Sequence, residues 1–185
     1  MNHILVLGGA RSGKSAWAEQ EARASGKHVV YIATGSAGDA EMAARIALHR
    51  HQRPAQWLTV EEPLALGAAI QQWSTPGRLV LVDCLTLWLS NLMFSAGGEF
   101  NETGPLELPE CVARERAALL SALALAGDQV ILVSNELGMG IVPYGALSRA
   151  FADEAGRLNQ AVAQACPTVA MIIAGLPLML KSPNH

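Results

Sequence analysis

The stretch Ile4–Ser15 reads ILVLGGARSGKS, an apolar run that passes directly into a glycine-rich turn. The apolar run predicts a buried strand, and the Ala- and Glu-rich segment 14–24 that follows predicts a helix. The turn between them fits the G-x-x-x-x-G-K-[ST] pattern of a phosphate-binding loop. Its glycines permit backbone angles that a side chain would forbid, so that the N–H groups can converge on an anion at the helix N-terminus. The stretch therefore predicts a strand–loop–helix unit that binds a nucleoside triphosphate.

Each position of this loop is a candidate contact to the nucleotide. Lys14 is placed to reach the β- and γ-phosphates, and the Ser15 hydroxyl is placed to ligate Mg²⁺. A glycine turn that merely precedes a helix is the alternative, which the strand–loop–helix context disfavours. The candidate nucleotide-binding residues are Gly8, Gly9, Ala10, Arg11, Ser12, Gly13, Lys14 and Ser15.

Extended and helical patterns alternate along the rest of the chain. Further apolar strands are predicted at 28–33, 79–83, 129–133 and 168–174, and helices at 39–51, 64–73, 85–94, 110–126 and 145–165. The run 169–180 is interpreted as a buried strand with a turn, because Gly175 and Pro177 interrupt it. Strands that are apolar throughout and alternate with helices indicate an α/β fold. We expect one domain over residues 1–185, with a mostly parallel sheet covered by helices on both faces.

The composition excludes several classes of function. The formal net charge of -3 and a pI near 5.9 argue against a nucleic-acid partner or a charged membrane surface. No run reaches the roughly 18 apolar residues of a membrane span, and the N-terminal run lacks the basic region of a secretory signal. Cys84, Cys111 and Cys166 have neither metal-ligand nor disulfide-framework spacing. We therefore expect a cytoplasmic protein with reduced thiols.

Asp83 ends the apolar run Leu79–Asp83 and is the candidate partner of the phosphate loop. We expect its strand to lie next to the first strand, so that its carboxylate emerges at the edge where open α/β sheets bind ligands. There it would hold Mg²⁺ directly or through water. The alternative is a carboxylate that caps the helix beginning near Leu85. The phosphate loop in the same sheet favours the role of Asp83 as a Mg²⁺ ligand over that of a helix cap.

The segment 41–53, EMAARIALHRHQR, places two histidines among three arginines. On a helix, Glu41, Arg45 and His49 share one face. The positive charges would lower the pKa of His49 and keep its imidazole neutral, as nucleophilic attack on phosphorus requires. A solvated charged helix face is the alternative, and His51 could replace His49 as the reactive side chain. Spacing alone does not choose among these.

Three segments together resemble one family. They are GGARSGKS (8–15), EMAARI…HRHQRP (41–54) and SNELGMGIVP (134–143), the last followed by Phe151 and by GRLNQ (156–160). They are similar to the bifunctional adenosylcobinamide kinase / adenosylcobinamide-phosphate guanylyltransferase family of cobalamin biosynthesis. The likeness runs from residue 4 to about residue 180, nearly the whole chain.

The resemblance implies two reactions. The first phosphorylates the hydroxyl of the aminopropanol arm of adenosylcobinamide with ATP or GTP. The second transfers GMP from GTP to that phosphate through a GMP-histidine, giving adenosylcobinamide-GDP and pyrophosphate. The family's histidine precedes an Arg-Pro pair by four residues, as His49 precedes Arg53-Pro54 and His51 does not. His49 is therefore the predicted nucleophile, and Lys14 the second predicted catalytic residue.

The resemblance also implies further contacts, a RecA-like P-loop sheet, Mg²⁺ and a homotrimer. Two departures are visible: Thr34-Gly35-Ser36 stands where some members have Thr-Ser-Gln, and Asp83 stands where some have Glu. The implied nucleotide contacts outside the loop are Thr34, Gly35, Ser36, Arg50, His51, Gln52, Arg53, Glu61 and Asp83, with Ser15 and Asp83 on the metal.

Two residues follow the strand 129–133 at the same edge of the predicted sheet. Glu136 could orient or deprotonate the cobinamide hydroxyl, or it could anchor its own loop. Asn135 precedes it. The tryptophans and methionines are interpreted as core residues, with Trp88 and Met139 as the first candidates for contact with a corrin ring.

Two other functions fit the phosphate loop. A small-molecule kinase needs the loop and Asp83 but no reactive histidine. A P-loop switch protein would bind GTP and signal to a partner, but the chain has no evident Asn-Lys-x-Asp motif for guanine.

Overall fold

The structure is a computed structural model that describes residues 2–35, 54–95, 97 and 106–183. The helix predicted at 39–51 lies outside the described residues. The strands of the described part are β1 (Ile4–Gly8), β2 (His28–Ala33), β3 (Leu58–Glu61), β4 (Arg78–Asp83), β5 (Val130–Asn135), β6 (Thr168–Ile173) and β7 (Leu176–Lys181). Its helices are α1 (Lys14–Ala24), α2 (Leu66–Trp73), α3 (Leu85–Ser95), α4 (Glu110–Leu125) and α5 (Ala146–Ala165).

The seven strands form one sheet in the order β3-β2-β4-β5-β1-β6-β7. Every neighbouring pair is parallel except β6 and β7, which are antiparallel. Parallel pairing brings the carboxyl ends of β1 to β6 to one edge of the sheet, where the phosphate loop follows β1. A mostly parallel α/β sheet is thus confirmed.

The central strands of the sheet are buried on both faces. Their successive side chains point alternately into two hydrophobic cores. Leu5 and Leu7 face a core that includes residues of α2, α3, α4 and α5, whereas Ile4 and Val6 face one that includes Ala18 of α1. Alternate residues of β4 and β5 divide between the two cores in the same way. This burial explains the continuous apolar strands in the sequence.

One expectation needs correction, and two strands were not predicted. The strand β4 that ends in Asp83 does not adjoin β1, because β5 lies between them. The strand β3 was not predicted, because four residues with no buried side chain carry no apolar pattern. In the run 169–180 only β6 is buried, and β7 is exposed along its whole length.

None of the helices in the described ranges has the length and apolar character needed to cross a bilayer. All three cysteines are free thiols, and Cys84 and Cys166 are buried. Burial raises the pKa of Cys84 to about 11 and that of Cys166 to about 12, so both remain protonated near neutral pH.

His3 joins three elements at the opposite, amino edge of the sheet. Its Nε2 donates to the Leu123 carbonyl of α4 (3.0 Å), and its Nδ1 accepts from the Val130 N–H at the start of β5 (3.1 Å). The side chain is buried, and burial lowers its pKa from the usual 6.5. A second proton would have to bind Nδ1, which already accepts the hydrogen bond from the Val130 N–H. The neutral imidazole is therefore the form that joins these elements.

We expect the free energy of unfolding to fall as pH drops below about 6.5, because the unfolded chain then binds a proton that the folded His3 resists. His3→Gln keeps one donor and one acceptor but does not titrate. Denaturant unfolding, followed by tryptophan fluorescence between pH 7.5 and 5.5, should therefore show a shallower loss of stability in His3→Gln. Equal pH dependence in the two proteins would contradict this role. Asp128, just before β5, accepts a hydrogen bond from the Lys27 ammonium, which lowers the pKa of its carboxyl from the usual 3.8. The stability that this carboxylate contributes is therefore lost only below that pH, outside the range of the experiment.

Candidate functional site

The register of the parallel strands places the candidate residues along one edge. Gly8 pairs with Asn135 of β5 on one side and with Ile172 of β6 on the other. Asp83 pairs with Val133 of β5, two residues before Asn135. The phosphate loop and Asp83 are therefore separated by the end of one strand.

The loop has the backbone shape that its glycines predict. Gly13 has a φ of 95°, and its carbonyl accepts the first hydrogen bond of α1 from the Trp17 N–H (3.0 Å). The Lys14 ammonium donates to the Gly9 carbonyl (3.1 Å), so it lies over the loop, on the side where such a lysine meets phosphates. The loop thus has the form of an anion-binding nest at a helix N-terminus.

Two neighbouring strands hold this loop in place. On one side, the Glu136 N–H after β5 donates to the Gly8 carbonyl (3.1 Å). On the other, the Gly175 N–H in the turn after β6 donates to the Ser12 carbonyl (2.8 Å). A Cβ on Gly13 would lie 3.1 Å from the Gly175 Cα, and one on Gly8 would lie 2.8 Å from the Ile172 carbonyl oxygen. Packing therefore requires glycine at position 8, whereas the positive φ and this close approach together favour glycine at position 13.

Asp83 is half-buried at the edge, and the buried Tyr31 orients its carboxylate. The Tyr31 hydroxyl donates to Asp83 Oδ2 (2.8 Å). Asp83 and the Ser15 hydroxyl are hard oxygen donors, the type that Mg²⁺ prefers when it also binds nucleotide phosphates. No group of three or more His, Cys, Asp or Glu side chains is gathered within the described ranges. A magnesium ion that takes most of its ligands from phosphates and water needs no such group.

Thr34 lies behind the edge rather than on it. Its side chain is fully buried, and its hydroxyl donates to the Cys84 carbonyl (2.7 Å) while accepting from the Cys84 N–H (2.8 Å). Because the hydroxyl already donates one hydrogen bond and accepts another, the geometry favours a positioning role for the Thr34 side chain. Gly35 follows it at the edge, partly exposed.

Glu61 ends β3 and is exposed at the same edge, in register with Ala33, which also pairs with Asp83. It therefore lies two strands from Asp83. The next residue, Glu62, accepts hydrogen bonds from the N–H groups of Leu64 (2.9 Å) and Ala65 (2.7 Å), just before α2.

Of the two interpretations of Glu136, the structure favours the loop anchor. Its Oε1 accepts from the Gly138 N–H (2.7 Å). The preceding Asn135 is held by two buried side chains: its N–H donates to the Thr86 hydroxyl (2.8 Å), and its carbonyl accepts from the Asn159 amide (3.1 Å). Asn159 belongs to the GRLNQ run, so two parts of the resemblance meet at this edge.

Some polar atoms at this edge are buried and have no hydrogen-bond partner in the described part of the chain. They include Ser12 Oγ in the loop and Asn135 Oδ1 beside it. Buried polar atoms are nearly always satisfied, so we expect substrate or ordered water to bind them.

Six predicted contacts lie outside the described residues: Ser36, His49, Arg50, His51, Gln52 and Arg53. Conversely, roles for Tyr31, Thr86 and Asn91 were not predicted from the sequence. The Asn91 amide donates to the Thr34 carbonyl (2.7 Å) and to that of Pro63 (3.2 Å), which ties the chain after β2 to α3. These side chains stand inside apolar strand or helix patterns, so no local signal marks them.

Comparison with known proteins identifies a matching family model, cobinamide kinase / cobinamide phosphate guanyltransferase, over residues 4–180. The chain is 52% identical over 177 residues to the bifunctional adenosylcobalamin biosynthesis protein CobP of Pseudomonas aeruginosa, with 96% of each chain covered. It is 42% identical over 180 residues to the corresponding protein CobU of Escherichia coli, covering 96% of this chain and 99% of that one.

Among solved structures, the chain is similar to an ATPase from the type III secretion system of pathogenic bacteria. The TM-score is 0.57 at 11% identity, with 96% of this chain and 56% of the other covered. At so low an identity the similarity shows only a shared fold. That shared fold supports the predicted P-loop, RecA-like architecture.

We predict that Gly13→Ala weakens nucleotide binding by at least about tenfold, because a left-handed backbone costs an alanine roughly 1–2 kcal/mol and the new methyl meets Gly175. Gly26→Ala is the matched control. Gly26 also has a positive φ (67°), but a Cβ there meets no atom within 4 Å, and it lies beyond the other end of α1. Calorimetric titration with GTP should separate the two variants, and equal affinities would contradict the role of Gly13.

Tyr31→Phe should raise the Mg²⁺ concentration needed for half-maximal nucleotide binding by about tenfold, as loss of a hydrogen bond to a metal ligand typically does. The chain's other tyrosine, Tyr144, is 97% exposed, so Tyr144→Phe serves as the control. The measurement is GTP binding across a Mg²⁺ titration. An unchanged Mg²⁺ dependence in Tyr31→Phe would show that the hydroxyl does not orient a metal ligand.

Proposed function

Because the chain belongs to the cobinamide kinase / cobinamide phosphate guanyltransferase family, we propose that it carries out two successive reactions in one P-loop domain spanning residues 1–185. It phosphorylates adenosylcobinamide with ATP or GTP and then transfers GMP from GTP to the product. The observation that carries the proposal is the phosphate loop held at one sheet edge with Asp83, in a chain that matches this family from residue 4 to residue 180. We place both reactions in the cytoplasm.

In the first reaction, the hydroxyl oxygen of the aminopropanol arm attacks the γ-phosphorus. The new P–O bond forms as the bond to the β–γ bridging oxygen breaks, the hydroxyl proton passes to water, and the nucleoside diphosphate leaves. The loop N–H groups and Lys14 stabilise the charge on the transferring phosphoryl group. The Lys14 ammonium, held over the loop by its hydrogen bond to the Gly9 carbonyl, and the glycine-lined nest support this assignment.

Mg²⁺ fits the oxygen donors at this edge. Ser15 and Asp83 would hold it, and it would neutralise charge on the β- and γ-phosphates. The Tyr31 hydroxyl fixes one carboxylate oxygen of Asp83, which leaves the other to face the ion or its water.

In the second reaction, a neutral imidazole nitrogen of His49 attacks the α-phosphorus of GTP. A P–N bond forms, the bond to the α–β bridging oxygen breaks, and pyrophosphate leaves. The phosphate of adenosylcobinamide phosphate then displaces the imidazole to give adenosylcobinamide-GDP. The four-residue spacing before Arg53-Pro54 and the surrounding arginines support His49 as the nucleophile.

We also propose that the enzyme is a homotrimer, as the family resemblance implies. Exposed apolar side chains support association of copies: Leu176 is 72% exposed on β7, and Ile141 is 98% exposed on the loop after β5. Leu178 and Leu180 of β7 are exposed as well, and a contiguous group of exposed apolar side chains, unlike a single one, marks an interaction surface.

The test of this proposal compares two histidines that lie two residues apart. Wild type, His49→Ala and His51→Ala are incubated with GTP labelled in the α-phosphate and with Mg²⁺. Wild type and His51→Ala should acquire an acid-labile, alkali-stable GMP label, which peptide mass spectrometry should locate on His49. His49→Ala should stay unlabelled but should still phosphorylate adenosylcobinamide.

Other outcomes decide among the alternatives. Phosphorylation without a label in wild type would leave only a small-molecule kinase. A label lost in His51→Ala and retained in His49→Ala would move the nucleophile. Slow GTP hydrolysis with adenosylcobinamide untouched would indicate a switch protein instead.

A further inference from the structure

An apolar pocket lies between α3, α5 and the loop 136–145 that joins β5 to α5. Its volume is about 440 Å³, within the range typical of small-molecule sites. Its lining includes Met93 and Phe94 of α3, Leu147 and Phe151 of α5, and Leu137 and Pro143 of the connecting loop.

One wall of the pocket follows closely in the chain after residues that contact the phosphate loop. Leu137 is two residues from Asn135, which pairs with Gly8, and the intervening Glu136 donates to the Gly8 carbonyl. A molecule that fills the pocket therefore lies one short loop from the phosphate nest. Such a position suits the acceptor of a phosphoryl group.

The chemistry of the lining excludes the nucleotide phosphates as occupants. The lining contains no charged side chain among the described residues, and its polar side chains are the hydroxyls of Ser90 and Ser148. A second cavity of about 330 Å³ shares Leu137 and Pro143 with it but is lined in addition by Arg149 and Asp153. The charged groups thus lie apart from the apolar pocket.

The wall formed by the connecting loop is fixed rather than loose. The Arg149 guanidinium donates to the Pro143 carbonyl (3.2 Å) and to the Tyr144 carbonyl. Glu136 closes the start of the loop by accepting from the Gly138 N–H. An apolar pocket with a held wall is preorganised for a ligand.

We infer that this pocket binds the methyl-bearing periphery of the corrin ring, next to the aminopropanol arm, while the hydroxyl of that arm reaches the phosphate loop. The inference rests on the proposed function. A corrinoid combines an apolar macrocycle with a fringe of carboxamides, which the apolar walls and the two serine hydroxyls suit. The pocket holds only part of so large a molecule.

The interpretation of the first two candidates as core residues is confirmed for Trp88 and is wrong for Met139. Trp88 is 1% exposed, and its indole N–H donates to the Leu64 carbonyl (2.8 Å), so it belongs to the core. Met139 is 82% exposed and does not line the pocket.

The test introduces bulk or charge at Ser148, an exposed residue in the first turn of α5. Ser148→Phe fills the pocket, and Ser148→Asp places a carboxylate in it at a helix position that tolerates negative charge. Gln160→Phe and Gln160→Asp make the same changes at an exposed position of α5 outside the pocket. Cobinamide binding is measured by equilibrium dialysis, and labelling by α-labelled GTP is measured without cobinamide.

Both Ser148 variants should weaken cobinamide binding by about tenfold or more, since they remove apolar contact or bury a charge. GTP labelling of the Ser148 variants should stay within about twofold of wild type. Both the labelling and the cobinamide binding of the Gln160 variants should also stay within about twofold. Folded Ser148 variants with wild-type cobinamide affinity would overturn the pocket assignment, and a changed sedimentation mass in them would assign the pocket to a second copy of the chain. A wild type that binds no cobinamide would instead overturn the proposed function itself.

Discussion

The phosphate loop is held by main-chain hydrogen bonds from the two strands that flank β1. The Glu136 N–H binds the Gly8 carbonyl, and the Gly175 N–H binds the Ser12 carbonyl. Within the loop the Ser12 N–H donates to the Gly9 carbonyl (3.3 Å), but N–H groups that are presented to an anion cannot serve in this way, so the Gly8 and Ser12 carbonyls are held from outside. The neighbouring strands supply that support, and the rest of the site takes its position from this arrangement.

Behind the edge, buried polar side chains hold the strand ends that carry the site. The Thr34 hydroxyl hydrogen-bonds both the carbonyl and the N–H of Cys84, the residue after Asp83. The Asn159 amide donates to the carbonyl of Asn135. In a low-dielectric interior such hydrogen bonds are strong, and losing one partner leaves the other unsatisfied. This makes the network suited to fixing geometry, and it explains why polar residues interrupt otherwise apolar elements.

The surroundings of the loop after β5 change in chemistry from its first residues to its later ones. Its first residues adjoin the glycine nest, where the groups are main-chain amides, hydroxyls and an ammonium. Its later residues wall an apolar pocket closed by α3 and α5. The proposed acceptor joins an apolar macrocycle to a reactive hydroxyl and fits this pairing, because the phosphates and the macrocycle demand opposite surroundings.

Most of the fold could be predicted from the sequence, because continuous apolar strands and a glycine-rich loop are local patterns. The exceptions are β3 and β7, since short or exposed strands bury little and leave no such pattern. The loop residues were also predictable, because close approach to an anion requires glycine at fixed spacing, whereas His49 required likeness to a family. Only the tertiary structure decided that β5 separates Asp83 from β1, that Tyr31 orients Asp83 and that Thr34 supports the edge from behind. Strand order and buried partners depend on contacts between residues far apart in the chain, and local sequence patterns do not encode those contacts.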